Sequence, residues 1–298
     1  MSKDLIIRDK KYMNTLITIK VVKDKENTVD ILDAIEAGFG EFDRIVKSYT
    51  RFTEDSELSN LNRKAGEWIE VSQEFFLLIE KMLSLSKLTG GAFDPTIIDF
   101  LELYGYDKNY DFSKLESPEL DNLVVKRVKT RPSWKDIELD KRNLKVKLVK
   151  DQKIDLGGIG KGYAIDCAAD MLNGSEYGLQ NFIIDAGGDL KASGLNAQDK
   201  EWSVGLKHEN EKGEQIVHSM VHLKDQALAC SGSWARKVKQ FHHLINPNTG
   251  KPQNDFKTIY VLANTATDAD GWATALFVLG KNINKTKIAK QNITYYAL

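Results

Sequence analysis

The apolar positions of this chain change period several times. Met13 to Val22 ("MNTLITIKVV") alternates closely enough to predict a β-strand. From about Thr28 to Lys47, Val29, Leu32, Ile35, Phe39, Phe42 and Val46 recur at helical spacing. The polar stretch "TEDSELSNLN" follows, with Asp55 or Ser56 placed to start a short helical turn. Gln73 to Thr89 is the strongest helical segment, stopped by Gly90 and Gly91. "AFDPTIIDFLELYGYD" predicts a turn and then another helix. Leu115 to Leu148 is lysine-rich with strand-like pieces, "DIELD" and "NLKVKLV", which suit a hairpin turning at Lys141–Asn143. Gly160 to Leu172 reads as a helix, and "NFIIDAGGDLKASG" as a buried strand entering a glycine turn. "EWSVGLKHE" and "IVHSMVHLKD" read as hairpin strands, "TIYVLANT" as a further strand, and Thr267 to Leu279 as a helix rich in alanine and leucine. Strands and helices are mixed rather than strictly alternating, which predicts an α+β fold over a doubly wound α/β sheet.

Composition narrows the classes. The 298 residues are 42% hydrophobic and 29% charged, as expected of a soluble globular protein of one large or two moderate domains. Lysine and arginine total 42 against 43 acids, a net charge of -1, so the overall charge gives no case for nucleic acid or an anionic membrane. The two cysteines, Cys167 and Cys230, lie far apart and lack metal-ligand spacing, which argues against a disulfide framework. No apolar run approaches a membrane span, and the first residues carry neither a secretory signal nor a lipid-accepting cysteine. The expected location is the cytoplasm, although an exported form trimmed of its signal would read the same way.

The chemistry concentrates in a few segments. Asp155 to Asp166, "DLGGIGKGYAID", holds four glycines and one lysine among twelve residues. It is not a P-loop, because Gly162 follows Gly160–Lys161, and not a dinucleotide fingerprint, because Tyr163 takes the last glycine position. Its small residues allow close backbone approach to a ligand, Lys161 offers a compact cation, and a helix starting near Gly160 directs amides at an anion. The same features describe a glycine-rich turn with a solvated lysine. In "TDADGWATALFVLG", Asp270 and Thr274 are i and i+4 on one helical face, a pairing that suits a hard cation such as magnesium. Alternatively Asp268 is an N-cap and Asp270 a first-turn charge. His242 and His243, two of five histidines, precede the turn-rich "NPNTGKP", where one could act as a general base. Ser231 lies in "SGS", which is no nucleophile elbow. Asp94–Pro95 fixes a turn after Phe93, and Gly187, Gly188 and Asp189 end a strand.

Taken together, "SYTRFTEDSELSNLN", "GGAFDPTIIDFLELYGY", "DLGGIGKGYAID", "DAGGDLKASG", "SGSWAR", "HHLINPNTGKP" and "DADGWATALFVLG" follow the order and spacing of the ApbE family, the FAD:protein FMN transferases. The chain resembles that family from about Met13 to Gly280. The resemblance implies one ApbE-like domain over 1–298, with a mixed or antiparallel β-sheet core and flanking helices. It implies that FAD is the substrate, that Mg2+ assists, and that FMN passes to a threonine or serine hydroxyl of an acceptor flavoprotein while AMP leaves. Asp270 and Thr274 match magnesium ligands, with backbone carbonyls of Gly158 and Ala273. Asp155 and Lys161 match FAD contacts. Met13, Phe52, Ala92, Phe93, Asp94 and Ile245 match nucleotide and ring contacts, and His243 matches the base. On this reading His242 tolerates substitution and His243 does not. The chain departs from the family pattern at Asn14 and Asn246, which replace a glycine and an aspartate, at Gly160, where alanine is common, and at Phe52, where tyrosine is usual. A magnesium-dependent FAD pyrophosphatase and a non-catalytic flavin-binding protein are the alternative activities.

Overall fold

The computed structural model describes residues 3–24, 29–107, 109–210, 212–234 and 236–298. The chain begins with strands β1 (Asp4–Tyr12) and β2 (Thr15–Lys23), followed by helices α1 (Ile31–Tyr49) and α2 (Glu57–Arg63). Strand β3 (Trp68–Glu70) leads into α3 (Gln73–Leu88), α4 (Ile98–Leu103) and α5 (Leu120–Thr130), and then β4 (Glu138–Asp140) and β5 (Lys145–Lys147). Helix α6 (Gly160–Asn173) precedes β6 (Phe182–Ala186), β7 (Asp189–Ser193), β8 (Trp202–Glu209), β9 (Gln215–Leu223) and β10 (Gln226–Gly232). The remainder is β11 (Ile245–Asn246), β12 (Lys251–Pro252), β13 (Thr258–Ala263), α7 (Ala266–Leu279), α8 (Lys285–Ile288) and β14 (Thr294–Ala297).

The main sheet has seven strands in the order β1-β2-β6-β7-β10-β13-β14, and every neighbouring pair is antiparallel. Its alternating residues face two ways. On β2, Ile17, Ile19 and Val21 point into the core shared with α1, α6 and α7, whereas Val22 joins a second cluster on the opposite face. That second face is covered by the β8–β9 ribbon through Trp202, Leu206, Val221 and Leu223. Tyr260 ties the ribbon down, its hydroxyl accepting from the Lys207 amide and donating to the Lys207 carbonyl. A third cluster joins α4 and α5 to the β11–β12 hairpin through Phe100, Tyr104, Val124 and Ile245. Helix α7 is buried nearly all round, which explains its alanines: small residues let it lie between the sheet and α6. Among the described residues no helix is long and apolar enough to cross a membrane.

Several sequence expectations are revised. Met13 does not begin a strand. It and Asn14 form the two-residue turn between β1 and β2, with φ of 51° and 59°. Such a hairpin turn needs positive φ at both central positions, and the strand before it, β1, escaped notice because Leu5 and Ile7 face outward. The start expected for the first long helix, Thr28, lies outside the described residues. The observed α1 is capped by the Asp30 side chain, and it buries Ile31, Ala34 and Ile35 while Leu32 is exposed. The lysine-rich stretch contains the helix α5 before its hairpin. Only Leu120 and Val124 are buried there, so the helical stripe is too narrow to stand out. The hairpin turn at Lys141–Asn143 is present, and β5 gains a third strand, β3, on its other side.

The first turn makes a direct prediction. A left-handed residue other than glycine or asparagine costs about 1–2 kcal/mol. Asn14→Ala is therefore expected to lower the unfolding free energy by about 1 kcal/mol, while Asn14→Gly leaves it level or raises it. Urea denaturation of the three proteins measures this, and an alanine variant as stable as the wild type would contradict the turn.

Candidate active site

The centre of the site is the crossing of two helix starts. Helix α6 has Ile159 at its N-cap position and no side-chain cap of its own. The Gly162 amide in its first turn donates instead to Asp270 Oδ2 of α7, at 3.0 Å. Helix α7 receives the converse: Asp166 of α6 accepts from the amides of Ala266 and Thr267, both at 2.8 Å. Each helix thus supplies the carboxylate that satisfies the other's orphan donors. The contact is close enough that a Cβ on Gly162 would lie 2.2 Å from the Ala266 carbonyl oxygen, so no other residue fits there. Thr265 is the N-cap of α7 and exchanges hydrogen bonds with Asp268, which also pairs with Lys81. Asp268 is therefore not the N-cap, and Asp270 lies beyond the first turn, with 4% exposure.

Thr274, one turn after Asp270, meets the glycine loop. A Cβ on Gly158 would sit 3.1 Å from the Phe93 ring and 3.4 Å from Thr274 Oγ1, so the backbone itself approaches the hydroxyl. Ser231 Oγ of β10 lies 3.5 Å from the same Thr274 oxygen. The loop is held by Asp155, whose amide donates to the Pro95 carbonyl and whose Oδ2 accepts from the Gly157 amide at 3.1 Å. Asp155 Oδ1 faces Arg51 Nε at 3.5 Å. The Arg51 guanidinium also donates to the Tyr106 carbonyl at 2.6 Å and lies 4.4 Å from the Phe52 ring centre. On the other side of the helix starts, Lys161 pairs with the buried Asp189, whose second oxygen accepts from the Cys230 amide at 2.8 Å. Burial pushes the neighbouring Cys230 thiol up to about 11, so it stays protonated at neutral pH.

The histidine segment is anchored to the far half of α7. The His242 ring packs edge-on against Phe277, with centroids 5.8 Å apart. Its Nδ1 accepts from the Leu244 amide at 3.2 Å, which leaves the proton on Nε2 to donate to Asn254 Oδ1, also at 3.2 Å. Burial holds this imidazole below its ordinary pKa. His243 is only half-buried, and its ring stands edge-on to Tyr106 at 6.4 Å. The two rings therefore separate, and His242, expected from the sequence to tolerate substitution, is a buried, neutral core residue.

The structure brings together Phe93, Gly158, Asp270 and Thr274, with Lys161, Ser231 and Asp189 around the same helix starts. Ala273 is fully buried between Asp270 and Thr274 on α7. Asp94 stands differently: its carboxylate is taken by the Thr96 amide and hydroxyl and by Arg131, in a pair whose side chains are 2% and 5% exposed. It shapes the turn before the site. Ile245 is buried in the third cluster, Ala92 is buried beside Phe93, and Met13 occupies its hairpin turn. Phe52 stacks beside Tyr110 at 6.3 Å. Sequence reasoning missed Arg51 and Asp166. Both lie inside segments it singled out, but their partners are supplied by segments distant in the chain.

Comparison with known proteins gives a consistent result. The family model described as "ApbE family" matches residues 13–297. A protein of Haemophilus influenzae named FAD:protein FMN transferase is 30% identical, in an alignment covering 97% of this chain and 84% of its own. The ApbE protein of Thermotoga maritima, a crystal structure, superimposes with a TM-score of 0.86 at 29% identity, covering 99% of this chain and 94% of its own. The flavin transferase ApbE of Vibrio cholerae has the same fold, with a TM-score of 0.83 at 22% identity and coverage of 99% and 97%.

The state of His242 predicts a pH effect on stability. Its folded pKa lies below the unfolded value of 6.5, so its contribution is complete above that value and is lost as pH falls through the folded pKa. Substitution by asparagine keeps an acceptor for the Leu244 amide but empties the space beside Phe277 and removes the donor to Asn254 Oδ1, at about 1–3 kcal/mol. His242→Asn is expected to melt below the wild type at pH 7.5 and to lose less on acidification. An unchanged melting temperature would contradict the buried, neutral assignment.

Proposed function

Since the chain belongs to the ApbE family, we propose that it is a magnesium-dependent FAD:protein FMN transferase whose acceptor is a threonine or serine hydroxyl on another protein. The observation that carries the reading is the meeting of a buried carboxylate, Asp270, and a hydroxyl, Thr274, on α7 with the glycine loop before α6, where the Gly158 backbone approaches Thr274. Among the described residues the buried Asp270 carboxylate accepts one hydrogen bond, from the Gly162 amide, which leaves oxygen lone pairs for a cation. An oxygen-only donor set at this point suits a hard cation, and a side chain at Gly158 would crowd Phe93 and Thr274. Magnesium would be held by Asp270, Thr274 and the carbonyls of Gly158 and Ala273, and would there neutralise pyrophosphate charge.

The remaining residues have roles of their own. The positive end of α6 would face the pyrophosphate of FAD, with Lys161 beside it on its Asp189 partner. The half-buried Phe52 and Met13 would offer apolar surface to the flavin and adenine groups, while Ala92, Phe93 and Ile245 are buried and would line the site mainly through backbone and side-chain edges. In the reaction, the acceptor oxygen attacks the phosphorus on the FMN side. A new P–O bond forms, the bond to the bridging oxygen breaks, and that oxygen leaves with AMP. The hydroxyl proton goes to a base, which we assign to His243. His242 is excluded because its Nδ1 lone pair is used and its ring is buried. Asp155 is excluded because its oxygens hold Gly157 and face Arg51.

Two measurements follow. Asp270→Asn keeps an acceptor for the Gly162 amide but removes the charge. It is expected to fold normally and to release AMP from FAD more slowly by on the order of 10²-fold or more, with a raised magnesium requirement. Near-normal turnover at unchanged magnesium dependence would refute the metal assignment. For the base, His243→Asn should retain FAD binding, lose about 10²–10⁴-fold in FMN transfer, and lose the acid limb of the pH–rate profile. An intact limb in that variant would place the base elsewhere.

A further inference from the structure

We infer that Arg51 is a positioning residue that joins the two halves of the active site: it neutralises and orients Asp155 on the glycine-loop side and holds Tyr106, the neighbour of His243, on the other. The inference rests on the functional reading above and adds to it a residue that reading did not use. Arg51 follows α1, and its side chain is 13% exposed; that of Asp155 is 16% exposed. Three contacts define its place. Nε lies 3.5 Å from Asp155 Oδ1, an Nη donates to the Tyr106 carbonyl at 2.6 Å, and the guanidinium plane is 4.4 Å from the Phe52 ring centre.

The first contact addresses an electrostatic conflict. Asp155 lies at the mouth of a loop offered to a pyrophosphate, where a bare carboxylate repels the substrate. The carboxylate is nonetheless needed, because its Oδ2 accepts from the Gly157 amide and so fixes the loop that brings Gly158 to Thr274. A guanidinium on the other oxygen keeps this geometric role and offsets the charge. The second contact reaches the base. Tyr106 is buried, its carbonyl accepts from Arg51, and its hydroxyl donates to the Arg236 carbonyl at 2.6 Å, in the segment leading to the histidines. Its ring stands edge-on to His243. A planar fork can serve a carboxylate and a carbonyl at once, which a lysine ammonium on a flexible stem cannot do equally well.

The test uses the full-length protein with FAD and magnesium. FAD affinity is read from quenching of flavin fluorescence, and FMN transfer from covalent flavin on a threonine-bearing flavoprotein acceptor domain. Arg51→Ala is expected to weaken FAD binding about tenfold and to slow transfer about 10²-fold, the scale of an ångström-level misplacement. Added guanidinium at millimolar concentration should restore part of both, which a loss of folding would not permit. In a double-mutant cycle the same change in an Asp155→Asn background should cost far less for FAD binding, because its partner is already neutral. Arg51→Lys, which keeps the charge, serves if the alanine variant does not fold. It should bind FAD within about threefold of wild type but transfer FMN at least about tenfold more slowly. Strictly additive losses, no guanidinium rescue, or a lysine variant equal to wild type in both readouts would overturn the inference. Wild-type protein that binds no FAD would instead overturn the functional reading, and the inference with it.

Discussion

The starts of α6 and α7 cap each other, and the site depends on that exchange. Neither helix could be placed independently, since Asp166 satisfies the first amides of α7 and Asp270 satisfies an amide of α6. The exchange also draws two positive helix ends to one point, a natural location for anions and for the carboxylates that balance them. Gly162 is the geometric condition, because any side chain there would collide with the Ala266 carbonyl. The neighbouring Gly160 is under no such constraint. Its Cβ would meet only Leu156, at 3.4 Å, an ordinary contact, so the alanine common in the family at this position is equally compatible.

The same reasoning explains two other departures. Asn14 takes a position with φ of 59°, and asparagine is the residue that best replaces glycine there. Asn246 replaces an aspartate, yet its Oδ1 accepts from the Asn248 amide at 2.9 Å, forming the turn that an aspartate would form equally well. The rigid turn after the histidines therefore survives the change.

Much of this architecture was legible in the chain. The helix beginning near Gln73 had a clear period and the one near Thr267 an alanine- and leucine-rich composition, the β8–β9 strands read as a hairpin, the β4–β5 hairpin had a recognisable turn, and Asp270 and Thr274 are visible as an i, i+4 pair. What stayed hidden depends on contacts between distant segments. The role of Asp270 as a cap for another helix and the reach of Arg51 to Asp155 and Tyr106 have no local signal. His242 and His243 look equivalent in sequence, and only Phe277 and the Leu244 amide distinguish them. Strand β1 was invisible for a different reason: on an edge strand with outward-facing Leu5 and Ile7, hydrophobic alternation does not report burial.

The central claim is that metal and pyrophosphate meet at the paired helix starts. Crystals grown with FAD and Mn2+, measured at the manganese absorption edge, test it directly. The account predicts a single strong anomalous peak bounded by the Asp270 carboxylate, the Thr274 hydroxyl and the Gly158 carbonyl, with pyrophosphate density beside it. A peak elsewhere, or FAD bound on the sheet face covered by the β8–β9 ribbon, would contradict it.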